Sequence, residues 1–282
     1  MKRLLLFLLA PAVVAVLVGA LVAAFALTSD TTYSSGNGPP PSVDREYLAL
    51  GDSLGYGVGA SDPATKGYVP LFRDFLESNG ELHPHLFLNN LSIPGATSTS
   101  LIALQLPAAL AELEARNGDK RHNNDVEMVT VDIGGNDFFT VVGPCAGGFT
   151  PPCQAAVAAM FATFSANFDY TLGELRTAAG PDTPIIVMTY YNSLVNPGCP
   201  YYPLASLGNI VLEGYPYPYL PLGANDLIRS IAAAHDAEVA ELVPGGVFPA
   251  LLGPSNIQPD CLHANDSGYA IIADAFADAY ED

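Results

Sequence analysis

The chain has 282 residues, half of them hydrophobic, and carries a formal net charge of -19 at pH 7. A surface this acidic repels phosphate backbones and anionic lipid head groups. Nucleic acid is therefore excluded as the expected partner, and neutral substrates suit the protein better than anionic ones.

An uncharged apolar segment opens the chain at residues 4–27, directly after Lys2 and Arg3. This order is typical of a secretion signal or a membrane anchor. The run is long enough to cross a bilayer, and Ala24-Phe25-Ala26 offers an A-x-A cleavage site, so a cleaved signal peptide (residues 1–27) and a retained membrane tether both stay open. Either way, we expect the remainder outside the cytoplasm, secreted or anchored to the outer face of the cytoplasmic membrane.

Beyond a polar, proline-rich linker at residues 28–44, one domain is expected to span residues 45–282. Short apolar runs alternate there with helical patterns, which predicts a parallel sheet covered by helices. The predicted strands are 47–50, 86–91, 128–133, 185–190 and 237–242. The predicted helices are 69–78, 100–116, 154–179, 224–235 and 267–280. Residues 196–222 hold too many prolines for a helix interior or a central strand, which indicates a packed loop or the rim of a substrate site.

Four cysteines form an even set in a chain expected to be exported, and this predicts two disulfides. Three pairings are possible from sequence alone. Cys145 and Cys153 bracket a short loop that suits a local bridge, which would leave Cys199 to pair with Cys261. No metal site is expected, because no C-x2-C or H-x3-H pair accompanies these residues.

The stretch from Ala49 to Ala60, A-L-G-D-S-L-G-Y-G-V-G-A, fits three motifs at once. The nucleophile elbow of α/β-hydrolases, G-x-S-x-G, needs several strands upstream, and here only one precedes Ser53. The dinucleotide fingerprint needs its first glycine at the strand end and an acid closing the second strand. Four residues intervene here, and the second strand runs into asparagines. The remaining reading, Gly-Asp-Ser-Leu, requires a base and an oxyanion pocket for Ser53.

Later turns supply residues of the required types. Asp260 and His263 form a D-x-x-H pattern before the last helix, a spacing that lets the acid fix the tautomer of the base. Asn136 follows two glycines after the third strand, and Gly95 follows the second strand. Turns that follow the strands of a parallel sheet gather along one edge, so we expect these residues to meet there.

The four short motifs that contain Ser53, Gly95, Asn136 and His263 resemble the four sequence blocks of the GDSL or SGNH hydrolase family. The resemblance covers residues 46–280. It implies a flavodoxin-like three-layer α/β/α sandwich with a five-stranded parallel sheet. It also implies hydrolysis of esters or thioesters, including lipids and acetylated sugars, with no metal or organic cofactor. Ser53 would be the nucleophile, His263 the base and Asp260 its orienting acid. The N–H groups of Ser53 and Gly95 and the side-chain amide of Asn136 would hold the oxyanion.

Two alternatives remain beside this serine esterase or lipase: an acyltransferase on the same scaffold, and an exported binding module without turnover. Asp52 is assigned a structural role within its own turn, and Phe138-Phe139 is assigned to the core rather than to a substrate pocket. A Cys199–Cys261 bridge would pin the acid–base loop to the aromatic insertion. The natural ester substrate and the oligomeric state are left open.

Overall fold

The computed structural model of the chain describes residues 45–79, 85–119, 121–214, 220–246 and 249–281. The expected leader, membrane tether and linker, residues 1–44, lie outside the described residues. In the described part of the chain, no helix is long and apolar enough to cross a bilayer.

Five parallel strands form the sheet, in the order β2-β1-β3-β4-β5. All five predicted strands are present, with ends that differ by at most two residues. Their bounds are β1 Glu46–Gly51, β2 Phe87–Asn90, β3 Val126–Asp132, β4 Ile185–Met188 and β5 Glu238–Ala240. This strand order is that of flavodoxin-like folds, in which the chain reverses direction across the sheet between β1 and β3.

The α-helices in the described ranges are α1 Ser53–Tyr56, α2 Pro63–Lys66, α3 Tyr68–Ser78, α4 Ser98–Leu104, α5 Leu106–Asn117, α6 Gly135–Phe139, α7 Pro151–Ala179, α8 Ala205–Glu213, α9 Ala224–Ala234 and α10 Asp266–Glu281. The prediction of one helix over 100–116 is wrong, because the chain breaks at Gln105 and a new helix starts with Pro107 in its first turn. Proline suits that position, since the N–H it lacks would have no intrahelical acceptor there.

The prediction that residues 196–222 contain no helix is also wrong. The segment contains α8, which begins two residues after Pro203 and ends before Pro216. The prolines therefore flank the helix rather than interrupt it, which is where a helix tolerates them.

Helices cover both faces of the sheet. On one face α3 packs against α10, with the rings of Tyr68 and Phe276 stacked at a centroid distance of 4.7 Å. On the other face α7 packs against α5 and α9, and its own Phe164 and Phe168 stack at 5.3 Å. Every residue of β1 and β4 is buried, as expected for strands covered on both sides. The predicted three-layer α/β/α sandwich is confirmed.

Both predicted disulfides are present, Cys145–Cys153 and Cys199–Cys261. The first closes the short loop leading into α7. The second joins two loops that are 62 residues apart in sequence, one of them the loop of the D-x-x-H pattern. Of the three possible pairings, the local bridge and its complement are the ones that form.

Candidate active site

Three side chains from the predicted set form a hydrogen-bonded line at the carboxyl edge of the sheet. The Oγ atom of Ser53 lies 2.9 Å from Nε2 of His263. The other ring nitrogen of His263, Nδ1, lies 2.6 Å from Oδ2 of Asp260. A hydroxyl, an imidazole and a carboxylate are thus connected in series, although Ser53 and His263 are 210 residues apart in sequence.

The loop that carries Asp260 and His263 is held closed by its own backbone. Ile257 and Ala264 form an antiparallel bridge across its base, and the N–H of Gln258 donates to the carbonyl of His263 at 2.8 Å. Cys261 adopts a left-handed φ of 68° inside the loop, where the disulfide to Cys199 fixes it. Acid and base are therefore oriented by a short closed turn.

Asp260 accepts two backbone hydrogen bonds at Oδ1, from the N–H groups of Leu262 at 3.0 Å and His263 at 3.1 Å. Partial burial raises the pKa of Asp260, but the hydrogen bonds from the His263 ring and from these two N–H groups outweigh it and hold the pKa below its usual value. The carboxyl is therefore ionised at neutral pH. In this state it can accept a hydrogen bond from a protonated Nδ1 of His263.

The turn that presents Ser53 depends on the two glycines of its motif. A Cβ atom on Gly51 would lie 1.9 Å from Oδ1 of Asp132, and one on Gly55 would lie 2.3 Å from the same oxygen. The N–H of Gly55 donates to Oδ2 of Asp132 at 3.0 Å, and the hydroxyl of Tyr68 donates to Oδ1 at 2.7 Å. Asp132, at the end of β3, thus fixes the start of α1 and with it the position of Ser53.

Asp52 lies beneath Ser53 and is 2 % exposed. Its Oδ1 accepts the N–H of Leu54 at 2.9 Å, which agrees with the structural role assigned from sequence. Burial is the largest effect on this carboxyl and, against hydrogen bonds from Leu54 and Asp132, raises its pKa to about 6. Burial and the charge of Asp52 raise the pKa of Asp132 well above its usual range. Two buried acids side by side cannot both ionise cheaply, so the pair retains a proton near neutral pH.

The loop that carries Gly95 runs beside this turn, since the N–H of Ile93 donates to the carbonyl of Gly51 at 3.1 Å, and Asn136 contacts Asp52. Among the described residues, the N–H groups of Ser53 and Gly95 donate to no protein acceptor, and Gly95 has a left-handed φ of 82°. The Nδ2 atom of Asn136 donates to the carbonyl of Ala96 at 2.8 Å and to Oδ2 of Asp52 at 3.3 Å. The amide of Asn136 therefore already has two acceptors, of which Asp52 is the more distant.

A cavity of about 140 Å³, partly open to solvent, adjoins the line of three residues, and Ser53, Asn136 and His263 all contribute to its lining. Phe138 is 8 % exposed and packs in the core as predicted, yet both Phe138 and Phe139 line this cavity. The assignment of the pair to the core alone is therefore wrong, because Phe139 is only half-buried and both rings border the cavity.

Sequence reasoning missed several residues of the site. Tyr190 and Tyr191, just after β4, both line the cavity, and the hydroxyl of Tyr191 donates to the carbonyl of Leu262 at 3.0 Å. Asp132 was assigned only to a strand. Position at the carboxyl end of a strand was the available signal for all three. Within the described ranges, no group of three or more His, Cys, Asp or Glu residues is placed to hold a metal ion.

The fold and the serine–histidine–aspartate line define a class: hydrolases with a flavodoxin-like three-layer fold, distinct from the α/β-hydrolase fold, whose serine follows the first strand. A family model, described as the GDSL-like lipase/acylhydrolase family, matches residues 49–271. The chain belongs to this family and is a serine hydrolase of carboxylic esters. No curated protein sequence matches the chain.

Solved structures share its fold at low sequence identity. A lipase from a goat rumen metagenome aligns with a TM-score of 0.57 at 18 % identity, over 83 % of this chain and 97 % of that one. An extracellular lipase from Streptomyces rimosus aligns with a TM-score of 0.51 at 20 % identity, over 83 % and 99 %. An acetylxylan esterase from Geobacillus stearothermophilus aligns with a TM-score of 0.53 at 18 % identity, over 83 % and 93 %. Two of these proteins are lipases and the third is an acetylxylan esterase, so the shared fold does not select a substrate.

Proposed function

We propose that Ser53, His263 and Asp260 hydrolyse carboxylic esters through an acyl-serine intermediate. The observation that carries the proposal is the continuous line from Oγ of Ser53 to Nε2 of His263 (2.9 Å) and from Nδ1 to Oδ2 of Asp260 (2.6 Å). Such a line lets the imidazole take the hydroxyl proton as Oγ attacks the carbonyl carbon. The carboxylate keeps Nδ1 protonated and stabilises the imidazolium that forms.

The first half of the reaction forms the bond between Oγ and the acyl carbon and breaks the bond to the alcohol oxygen. The proton taken by His263 passes from Nε2 to that oxygen, and the alcohol leaves. In the second half a water molecule attacks the acyl carbon and His263 takes its proton. His263 then returns the proton to Oγ as the bond between Oγ and the acyl carbon breaks, which releases the carboxylic acid and restores Ser53. The two halves use the same base and the same carbonyl position.

The negative oxygen of each tetrahedral intermediate would be held by the N–H groups of Ser53 and Gly95 and by Nδ2 of Asn136. Two findings support this assignment: both N–H groups lack a protein acceptor in the described part of the chain, and the longer of the two Asn136 contacts can be exchanged for the oxyanion. Charge-assisted hydrogen bonds of this kind are stronger than neutral ones.

Hydrolysis of p-nitrophenyl butyrate by the wild type and by Ser53→Ala tests the proposal. We expect the variant to lose at least about 10³-fold in kcat, while Ser206→Ala, at an exposed position on α8, keeps wild-type activity. A rapid-mixing burst of one p-nitrophenolate per chain, with the acyl mass on the peptide containing Ser53, would identify the nucleophile. Full activity in Ser53→Ala would refute the assignment.

We also propose that residues 1–27 export the chain and that the domain acts outside the cytoplasm, free or tethered. The two disulfides support an oxidising compartment, since such bonds rarely persist in a reducing cytosol. Cell fractionation combined with N-terminal sequencing tests this. Recovery of full-length protein in the cytosol with reduced cysteines would contradict it.

A further inference from the structure

The cavity beside Ser53 has apolar walls built by two segments with no role in the proposed chemistry. Phe139 and Val142, which follow Asn136, form part of one wall. Leu207, Val211 and Leu212 of α8 form part of another. The disulfide of Cys145 and Cys153 anchors the first segment, and the Cys199–Cys261 disulfide lies in the loop that leads to the second. The walls are therefore built into the fold.

Polar atoms in these walls are occupied by protein partners. The hydroxyl of Tyr191 donates to the carbonyl of Leu262. Asn192 donates from Nδ2 to the carbonyl of Ala205 at 2.7 Å and to Oδ1 of Asn209 at 2.5 Å, and its own Oδ1 accepts the N–H of Leu194. The donor hydrogens of these two side chains are therefore already used, and neither can donate to a ligand without losing one of these bonds.

The rest of the lining has few hydrogen-bonding groups for a polar ligand. Among the described residues, Asp52 and His263 supply the carboxyl and imidazole groups of the cavity. The hydroxyls of Tyr190 and Tyr191 both donate to protein acceptors, and Ser193 adds one hydroxyl away from the proposed triad. A sugar ring would bury several hydroxyl groups, each at a cost unless it is hydrogen-bonded. An alkyl chain has no such requirement and is stabilised by every apolar wall atom it contacts.

We propose that this cavity binds the alkyl part of the acyl group, so that the enzyme prefers esters of medium- or long-chain fatty acids to acetate esters. This rests on the proposed function, since the acyl carbon must lie at Ser53. The acyl group becomes bonded to Oγ in the first half of the reaction and is released only in the second, whereas the alcohol leaves in the first. A cavity adjoining Ser53 can therefore hold the acyl chain through both transition states. Leu207 is half-buried on the wall and is the position that we expect to limit chain length.

Initial rates on p-nitrophenyl esters from acetate to dodecanoate, each below its micelle-forming concentration, measure the acyl preference. Burying one methylene group is worth up to about fourfold in kcat/KM. We therefore expect kcat/KM to rise at least about 100-fold from acetate to octanoate, a gain of six methylene groups. Acetate esters of butanol, hexanol and octanol form the second arm, and their kcat/KM should change little with chain length.

Two substitutions of Leu207 test the wall in opposite directions. Leu207→Phe fills the cavity and should lower the octanoate-to-acetate ratio of kcat/KM at least about tenfold, because it excludes several methylene groups. Leu207→Ala enlarges the cavity and should move the preferred chain length upward. Alanine is also the best helix former, so this variant is expected to fold even where the bulky one does not. Ser206→Phe places the same ring at an exposed position on α8 and should leave the profile unchanged.

The outcomes separate the two proposals. A wild type that hydrolyses acetate and octanoate equally well, or one whose rate follows the alcohol chain instead, overturns the acyl assignment and leaves the triad standing. A profile that Leu207→Phe and Ser206→Phe alter alike also overturns it. A wild type inactive on the whole series, folded by circular dichroism, overturns the proposed function together with the acyl assignment.

Discussion

Replacement of Asn136 by alanine separates a catalytic role of its side chain from a structural one. In the resting structure Nδ2 donates to the carbonyl of Ala96 at 2.8 Å and to Oδ2 of Asp52 at 3.3 Å. If Asn136 only holds these two neighbours, its loss should affect stability alone. If the amide moves its longer contact from Asp52 to the oxyanion, its loss should affect the transition state.

The expected size of each effect follows from the contacts. Losing one oxyanion donor costs about 3 to 4 kcal/mol of transition-state stabilisation, or about 10²- to 10³-fold in kcat. KM should change little, because the negative charge develops only after substrate has bound. Two lost hydrogen bonds at about 1 kcal/mol each lower the free energy of unfolding by about 2 kcal/mol. For a domain of this size that corresponds to about 4–8 °C in Tm.

The assay pairs kcat and KM on p-nitrophenyl butyrate with Tm from circular dichroism. Asn167→Ala is the matched control. Its Nδ2 also donates to two acceptors, Oγ of Ser98 at 3.0 Å and Oγ1 of Thr99 at 2.9 Å, and its side chain is not part of the cavity lining. We expect both variants to lose similar amounts of Tm and only Asn136→Ala to lose kcat. An Asn136→Ala enzyme with kcat within threefold of wild type would show that the residue is structural.

Three further changes have outcomes set by the structure. Gly51→Ala should leave the protein unfolded or insoluble, because the added methyl group would lie 1.9 Å from Oδ1 of Asp132. Asp52→Asn should flatten the decline in the free energy of unfolding as pH rises from about 4 to about 6. The raised pKa of Asp52, about 6 against a reference of 3.8, makes its ionisation cost up to about 3 kcal/mol that is absent below pH 4. Removing the Cys199–Cys261 disulfide by double alanine substitution should lower stability by about 4 kcal/mol by the chain-entropy estimate for its 62-residue separation.

Each of these changes has its own check. Gly147→Ala, where an added Cβ meets nothing within 4 Å, should express and melt like the wild type. Equal pH slopes in urea unfolding for the wild type and Asp52→Asn would show that Asp52 is not the group that ionises at a cost. For the disulfide, a Tm within 2 °C of the wild type under non-reducing conditions would contradict the expected loss, which corresponds to about 8 °C or more.

Short-range patterns in the sequence were enough to predict part of this structure. The alternation of short apolar runs with helical patterns specified five parallel strands, because a strand buried on both faces needs a continuous apolar run and a parallel connection needs a helix. The residue types of the candidate site were readable too, since Ser53, Gly95, Asn136 and His263 stand in the order of the family's blocks. Each of them follows a strand or precedes the last helix, which predicted the edge of the sheet where they lie.

Other features depended on contacts between distant parts of the chain. The break at Gln105 and the helix α8 were both mispredicted. The positions of the prolines show where a helix cannot continue, but they do not show where a helix begins. The need for glycine at position 51 becomes evident only when the carboxylate of Asp132, 81 positions later, is seen beside it. The apolar cavity could not be read from the tyrosines of residues 196–222, because its lining comes from several segments that are far apart in sequence and meet only after folding. Sequence therefore determined the strands, the turns and the reacting groups, whose signals are local. Tertiary structure alone decided the distances between the reacting groups, the protonation of the buried acids and the shape of the cavity. Each of these depends on which residues, distant in sequence, pack together and exclude water.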